Sequence, residues 1–90
     1  MDQREQTFLS ALAAWEAAEE RRIVAAEDYR VSHAKATAES TAKNAEGRKA
    51  DADVATSAKR LERDRAELAA TAAHHRLVFY RGSAGERSVG

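Results

Sequence analysis

Three histidines, His33 and the adjacent pair His74-His75, are the side chains best suited to metal ligation or to proton transfer near neutral pH. Adjacent residues of a helix point about 100° apart, so His74 and His75 cannot form the i,i+4 pair that a helical metal site prefers. His33 is expected opposite residue 59, far from both. All three read as packing histidines, and neither a metal nor a cofactor is expected. The chain has no cysteine, which removes thiolate ligands and disulfides together. The carboxylates are numerous, yet each has basic neighbours, so none is a shielded acid. No G-x-x-x-x-G-K or G-x-S-x-G motif occurs, and no nucleophile has a base beside it. We expect a protein that is not an enzyme.

A second chemical theme is charge inside apolar rows. Glu19, Arg30 and Arg65 interrupt otherwise apolar helical stripes, and charges in a helical seam must pair. Arg30 with Glu62, and Glu27 with Arg65, are the expected partners of a cross-helix ionic layer that sets specificity. Lys59, Arg60 and Arg63 also form a candidate nucleic-acid patch. Glu62, Asp64 and Glu67 are interleaved with them and weaken its field, so a solvated mixed-charge face is the favoured reading.

The elements that must position these groups follow from composition. Of the 90 residues, 22 are alanine, none is proline, and the first 80 contain a single glycine, Gly47. Alanine loses no side-chain entropy in a helix, and Glu, Lys, Arg and Leu are close behind. Fifteen basic and fifteen acidic residues cancel, with no basic arm or acidic run. An all-α chain is expected, with helices at about 3–44 and 48–80 forming one domain over 1–80. The glycine-bearing segment 81–90 is expected to be a flexible tail.

The apolar rows repeat at three and four residues. One runs Phe8, Leu12, Trp15, Glu19, Ile23, Ala26, Arg30, Ala34; the other keeps strict 4-3-4-3 spacing from Val54 through Ala58, Leu61, Arg65, Leu68, Ala72 and His75 to Phe79. Pairs at i,i+4, such as Glu39 with Lys43, Arg60 with Asp64 and Arg63 with Glu67, add a few tenths of a kcal/mol each, about what exposed helix pairs contribute.

The break falls at Asn44-Ala45-Glu46-Gly47, where Gly47 suits a helix C-cap and Asn44 is the next candidate. A chain folded back near residue 46 sets Val31 opposite Leu61, Ala34 opposite Ala58 and Trp15 opposite Leu77. An antiparallel two-helix hairpin, coiled-coil-like and about 50 Å long from its ~1.5 Å rise per residue, is the favoured fold. Its rival is one uninterrupted helix in a parallel coiled coil. Large apolar residues are few, so the core is thin and dimerisation into a four-helix bundle is expected.

Phe8, Leu12, Trp15, Leu77, Phe79 and Tyr80 form the candidate interaction cluster at the open end. The amphipathic start, Thr7 to Trp15, lacks a basic flank and is followed by Glu16, Glu19 and Glu20, so packing is preferred to membrane binding. No run approaches the ~20 apolar residues of a membrane span. Met1 to Gln6 lacks the basic start of a secretion signal. The cytoplasm is the expected compartment.

The segments Tyr29-Arg30-Val31, Ala34-Lys35-Ala36, Glu46 to Thr56 and Arg60-Leu61 resemble small alanine-rich proteins of bacteriophages, in which a tyrosine-bearing helix, a turn and an R-K-A-x-A-D helix recur. That resemblance implies a phage or prophage origin and an interaction role. No functional residue is carried over from it. The expected function is a small non-catalytic interaction protein that self-associates and binds a host or phage protein. The alternative is a nucleic-acid-associated accessory factor, for instance in phage recombination.

Overall fold

The computed structural model describes residues 2–89, with side chains described as far as Gly82. Three helices and no strand occur among them: α1 (Gln3–Glu39), α2 (Ala45–Ala55) and α3 (Ser57–Val89). The molecule is elongated, 67 × 19 × 14 Å. It exceeds the expected 50 Å because α3 runs past residue 80 without a break as far as Val89.

Both helix starts use short polar side chains. Asp2 caps α1, its carboxylate accepting from the Arg4 N–H at 3.3 Å. Asn44 caps α2, its Oδ1 accepting from the Gly47 N–H at 2.7 Å. The sequence reading placed Asn44 and Gly47 at the C-terminus of the first helix. They instead open the second, since asparagine ranks among the best N-caps. Gly47 has no positive φ; it is needed for space. A Cβ there would lie 2.9 Å from Ala42 Cβ and 3.0 Å from Asn44 Oδ1.

Helix α1 therefore ends at Glu39, earlier than expected, and Ser40–Asn44 make the connection. Ser40 is fixed across it, its hydroxyl donating to Asp51 Oδ2 at 2.6 Å and accepting from the Ala42 N–H. Arg48 Nε donates to the Ala42 carbonyl at 3.1 Å. Lys43 falls in this connection, so its expected pairing with Glu39 gives way to Lys35–Glu39 at 4.0 Å.

The expected second helix is divided at Thr56. This residue is buried, and its hydroxyl donates to the Ala52 carbonyl at 2.6 Å while its own carbonyl accepts from the Arg60 N–H. A threonine hydroxyl competing for the i−4 carbonyl bends a helix. Thr7 and Thr37 make the same bond inside the unbroken α1, and the backbone bonds run on through Thr56, so the division is this one residue, at φ −112° and ψ 15°, between α2 and α3.

The face of α1 shielded from solvent recurs with strict three-four spacing: Phe8, Ala11, Trp15, Ala18, Arg22, Ala25, Tyr29, Ser32, Ala36. On α3 the corresponding face is Lys59, Arg63, Ala66, Ala70, Ala73, Leu77 and Tyr80. Buried hydrophobic residues among those described are all alanines, and Ala18, Ala70 and Ala73 pack together under Trp15. Ala52 and Thr56 are buried nearer the connection. Helices whose contact rows are alanine can approach closely, and dispersion contacts then accumulate with little side-chain entropy lost.

Candidate interaction surface

Contacts between α1 and the rest of the chain come in two groups. Near the connection, Lys59 Nζ donates to Asp28 Oδ2 at 2.6 Å and His33 Nε2 lies 2.9 Å from Asp53 Oδ1. The His33 and Tyr29 rings are 5.7 Å apart, and the Arg63 guanidinium sits 4.5 Å from the centre of the Tyr29 ring. A cation over an aromatic face is attracted by the ring quadrupole. The hydrogen bond and charge of Asp28 raise the Lys59 pKa. Asp64 does the same for Arg63, whose Nη2 lies 3.0 Å from that carboxylate.

Further along, Trp15 meets His74 with ring centroids 6.0 Å apart. Beside them, Arg22 forms a forked pair with Glu19, its Nη2 2.7 Å from Oε2. That hydrogen bond holds the Glu19 carboxyl below its ordinary value and raises Arg22. Glu67 and Thr71 complete the rim of an open groove here.

The expected ionic layer is not formed. Arg30 turns back to Glu27 on its own helix at 2.5 Å, and Arg65 is exposed with no ion pair among the described residues. Asp28 and Asp53 take the cross-helix role instead, with Lys59 and His33. At these contacts the partnering of α1 is displaced by three to six residues, while Arg63 keeps its expected place opposite Tyr29. His33 meets Asp53 rather than residue 59, and Trp15 meets His74 rather than Leu77.

The candidate interaction cluster is divided. Phe8, Leu12, Trp15, Leu77 and Tyr80 are half-buried, whereas Phe79 is 67 % exposed and touches Tyr80 edge-on at 5.5 Å. The basic patch is also divided. Lys59 and Arg63 are committed to Asp28 and to Tyr29 and Asp64, leaving Arg60 outside. No group of three or more histidine, aspartate or glutamate side chains among the described residues could hold a metal, and no described helix is long and apolar enough to cross a membrane.

The residues that sequence reasoning placed inside mostly stand outside. Every position of the 4-3-4-3 row from Val54 to Phe79 is exposed, Val54 at 77 % and Leu68 at 72 %. Val31 and Leu61, expected opposite each other in the seam, are each about half exposed, at 51 % and 50 %. On α1, Leu9, Ile23 and Val24 are exposed as well. The sequence shows two candidate rows on this helix without ranking them. Beside the row of large residues on the second helix runs a row of equal period, Lys59, Arg63, Ala66, Ala70, Ala73 and Leu77, and that row faces α1. No family model, curated protein or solved structure matches the chain.

Proposed function

We propose that this chain is a non-catalytic interaction protein. Its unit is an antiparallel, coiled-coil-like helical hairpin that self-associates into a four-helix assembly and binds a further protein partner of host or phage origin. One observation carries the reading: alanines are buried between α1 and α3, while Ile23, Val24, Val31, Val54, Leu61, Leu68 and Phe79 are left on the surface. Exposed apolar area on this scale, relative to so thin a core, is what association interfaces present before they are covered. The pairings of Asp28 with Lys59 and Trp15 with His74 support the hairpin, since partner numbers fall along α3 as they rise along α1.

Equilibrium sedimentation at micromolar concentration tests the self-association. A dimer or a larger closed assembly is expected, and a strictly monomeric species with a sharp melt overturns the reading. Titration with single- and double-stranded DNA at low and moderate salt addresses the accessory-factor alternative. With Lys59 and Arg63 already paired inside the molecule, binding should vanish at moderate salt. Tight binding there would displace the protein-partner reading.

A further inference from the structure

The outward row on α2 and α3 has the spacing of a coiled-coil seam, and no described residue covers it. Val54, Leu61, Leu68 and His75 recur every seven residues, and Ala58, Arg65, Ala72 and Phe79 fall between them. All eight are exposed. From the 3.6-residue turn, this row lies about 150° around the helix from the row that meets α1, so α1 cannot cover it.

We propose that the occupant is the same row of a second copy of this chain, running antiparallel, with the two-fold axis between Ala66 and Glu67. The inference rests on the self-association proposed above and specifies its face, direction and register. In this register Leu61 lies opposite Ala72 of the second copy, Ala58 opposite His75, and Val54 opposite Phe79. A large side chain thus meets an alanine in two of the four distinct layers, as interdigitating layers require, and two large ones meet in the other two. Arg65, without an ion pair among the described residues, lies opposite Leu68 of the second copy. It is about one helical turn from the second copy's Asp64, and symmetry makes that ionic contact twice.

The alternatives are worse on charge. Sliding one copy by a heptad in one direction sets Glu62 against Asp64 and Arg63 against Arg63; sliding in the other sets Arg65 against His75. A parallel pair in register stacks Arg65 on Arg65. Like charges directly opposite in a seam disfavour that pairing.

The absence of cysteine makes the register directly testable. Ala58→Cys and His75→Cys chains are prepared separately, mixed, dissociated and reassociated, and then oxidised. A mixed disulfide is expected, because these two positions face each other, while each variant alone should remain uncrosslinked. Across the antiparallel seam, Ala58 of one copy is about 25 Å from Ala58 of the other at 1.5 Å per residue, beyond disulfide reach. Self-crosslinking of Ala58→Cys, or absence of the mixed product, overturns the register. The double variant L61E/L68E changes only exposed side chains, so its helicity should persist while its dimer weakens by about 100-fold or more. Ile23→Glu, on the outer face of α1, should leave the dimer intact. If the wild-type chain dimerises and L61E/L68E does too, the seam is wrong and self-association stands. If the wild-type chain is monomeric, both fall.

Discussion

Lys59 on α3 reaches Asp28 on α1 with its Nζ 2.6 Å from Oδ2, and this contact marks the register of the two helices. The carboxylate raises the lysine pKa above its ordinary 10.5. A raised folded-state pKa contributes stability that is fully present below the unfolded value and is lost as pH rises through the folded value. The thermal midpoint of the wild-type chain should therefore fall in strongly alkaline solution more than that of Lys59→Met. Parallel alkaline melts for the two proteins would remove this contact from the account. Both side chains are nearly half exposed, so added salt should narrow the gap.

Acid should act in the opposite sense. Glu19 and Glu27 are held below their ordinary 4.5, chiefly by hydrogen bonds from Arg22 and Arg30. Depressed carboxyl values give stability that is present above 4.5 and lost as pH falls through the folded values. Helicity followed from pH 7 to 2 should decline below about 4.5, the ordinary value, with a smaller decline in the Glu19→Gln, Glu27→Gln double variant. Equal declines would assign acid sensitivity to other carboxylates.

Gly47→Ala reverses the usual sign of a helix substitution. Replacing glycine by alanine inside a helix ordinarily stabilises by roughly 0.5–1 kcal/mol. Here the new Cβ lies 2.9 Å from Ala42 Cβ, and Ala42 belongs to a connection held by Ser40 and Arg48. Overpacking of this kind costs about 1–3 kcal/mol, so a net loss of about 1 kcal/mol is expected in urea unfolding. A gain in stability would mean that the connection is open at Gly47.

Trp15 rests on the buried alanines Ala18, Ala70 and Ala73 and against His74 while keeping one side in solvent. Complete truncation of a buried tryptophan costs about 3–5 kcal/mol. For this half-buried ring Trp15→Ala should cost about 2 kcal/mol, half that figure on the same scale. Trp15→Phe should recover most of it. Indole fluorescence of the wild type should show a partly quenchable ring; full exposure to quencher would contradict its packing on α3.

Helix content and the break in mid-chain were legible from the sequence alone. Alanine-rich, proline-free runs leave the backbone no cheaper state than helix, and the Asn44–Gly47 stretch is where structure changes. Local chemistry there was harder to read, because asparagine and glycine both serve at either end of a helix. Thr56 carried no visible mark of a break, since Thr7 and Thr37 make the same hydroxyl bond inside the unbroken α1.

Of the candidate site, the sequence by itself determined that the second helix carries a heptad row from Val54 to Phe79 and that apolar residues outnumber the places to bury them. Only the tertiary structure decided which way that row faces. Periodicity fixes a stripe on a helix, but two stripes of equal period run side by side, and their orientation depends on where α1 lies. That position follows from a connection that begins at Ser40, from the close approach that alanine rows permit, and from the Asp28–Lys59 and His33–Asp53 contacts. None of these is a local property. A shift of three residues, less than one turn, moved the partner of Trp15 from Leu77 to His74. The alanine row, not the leucine row, faces inward, and the larger side chains remain on the surface.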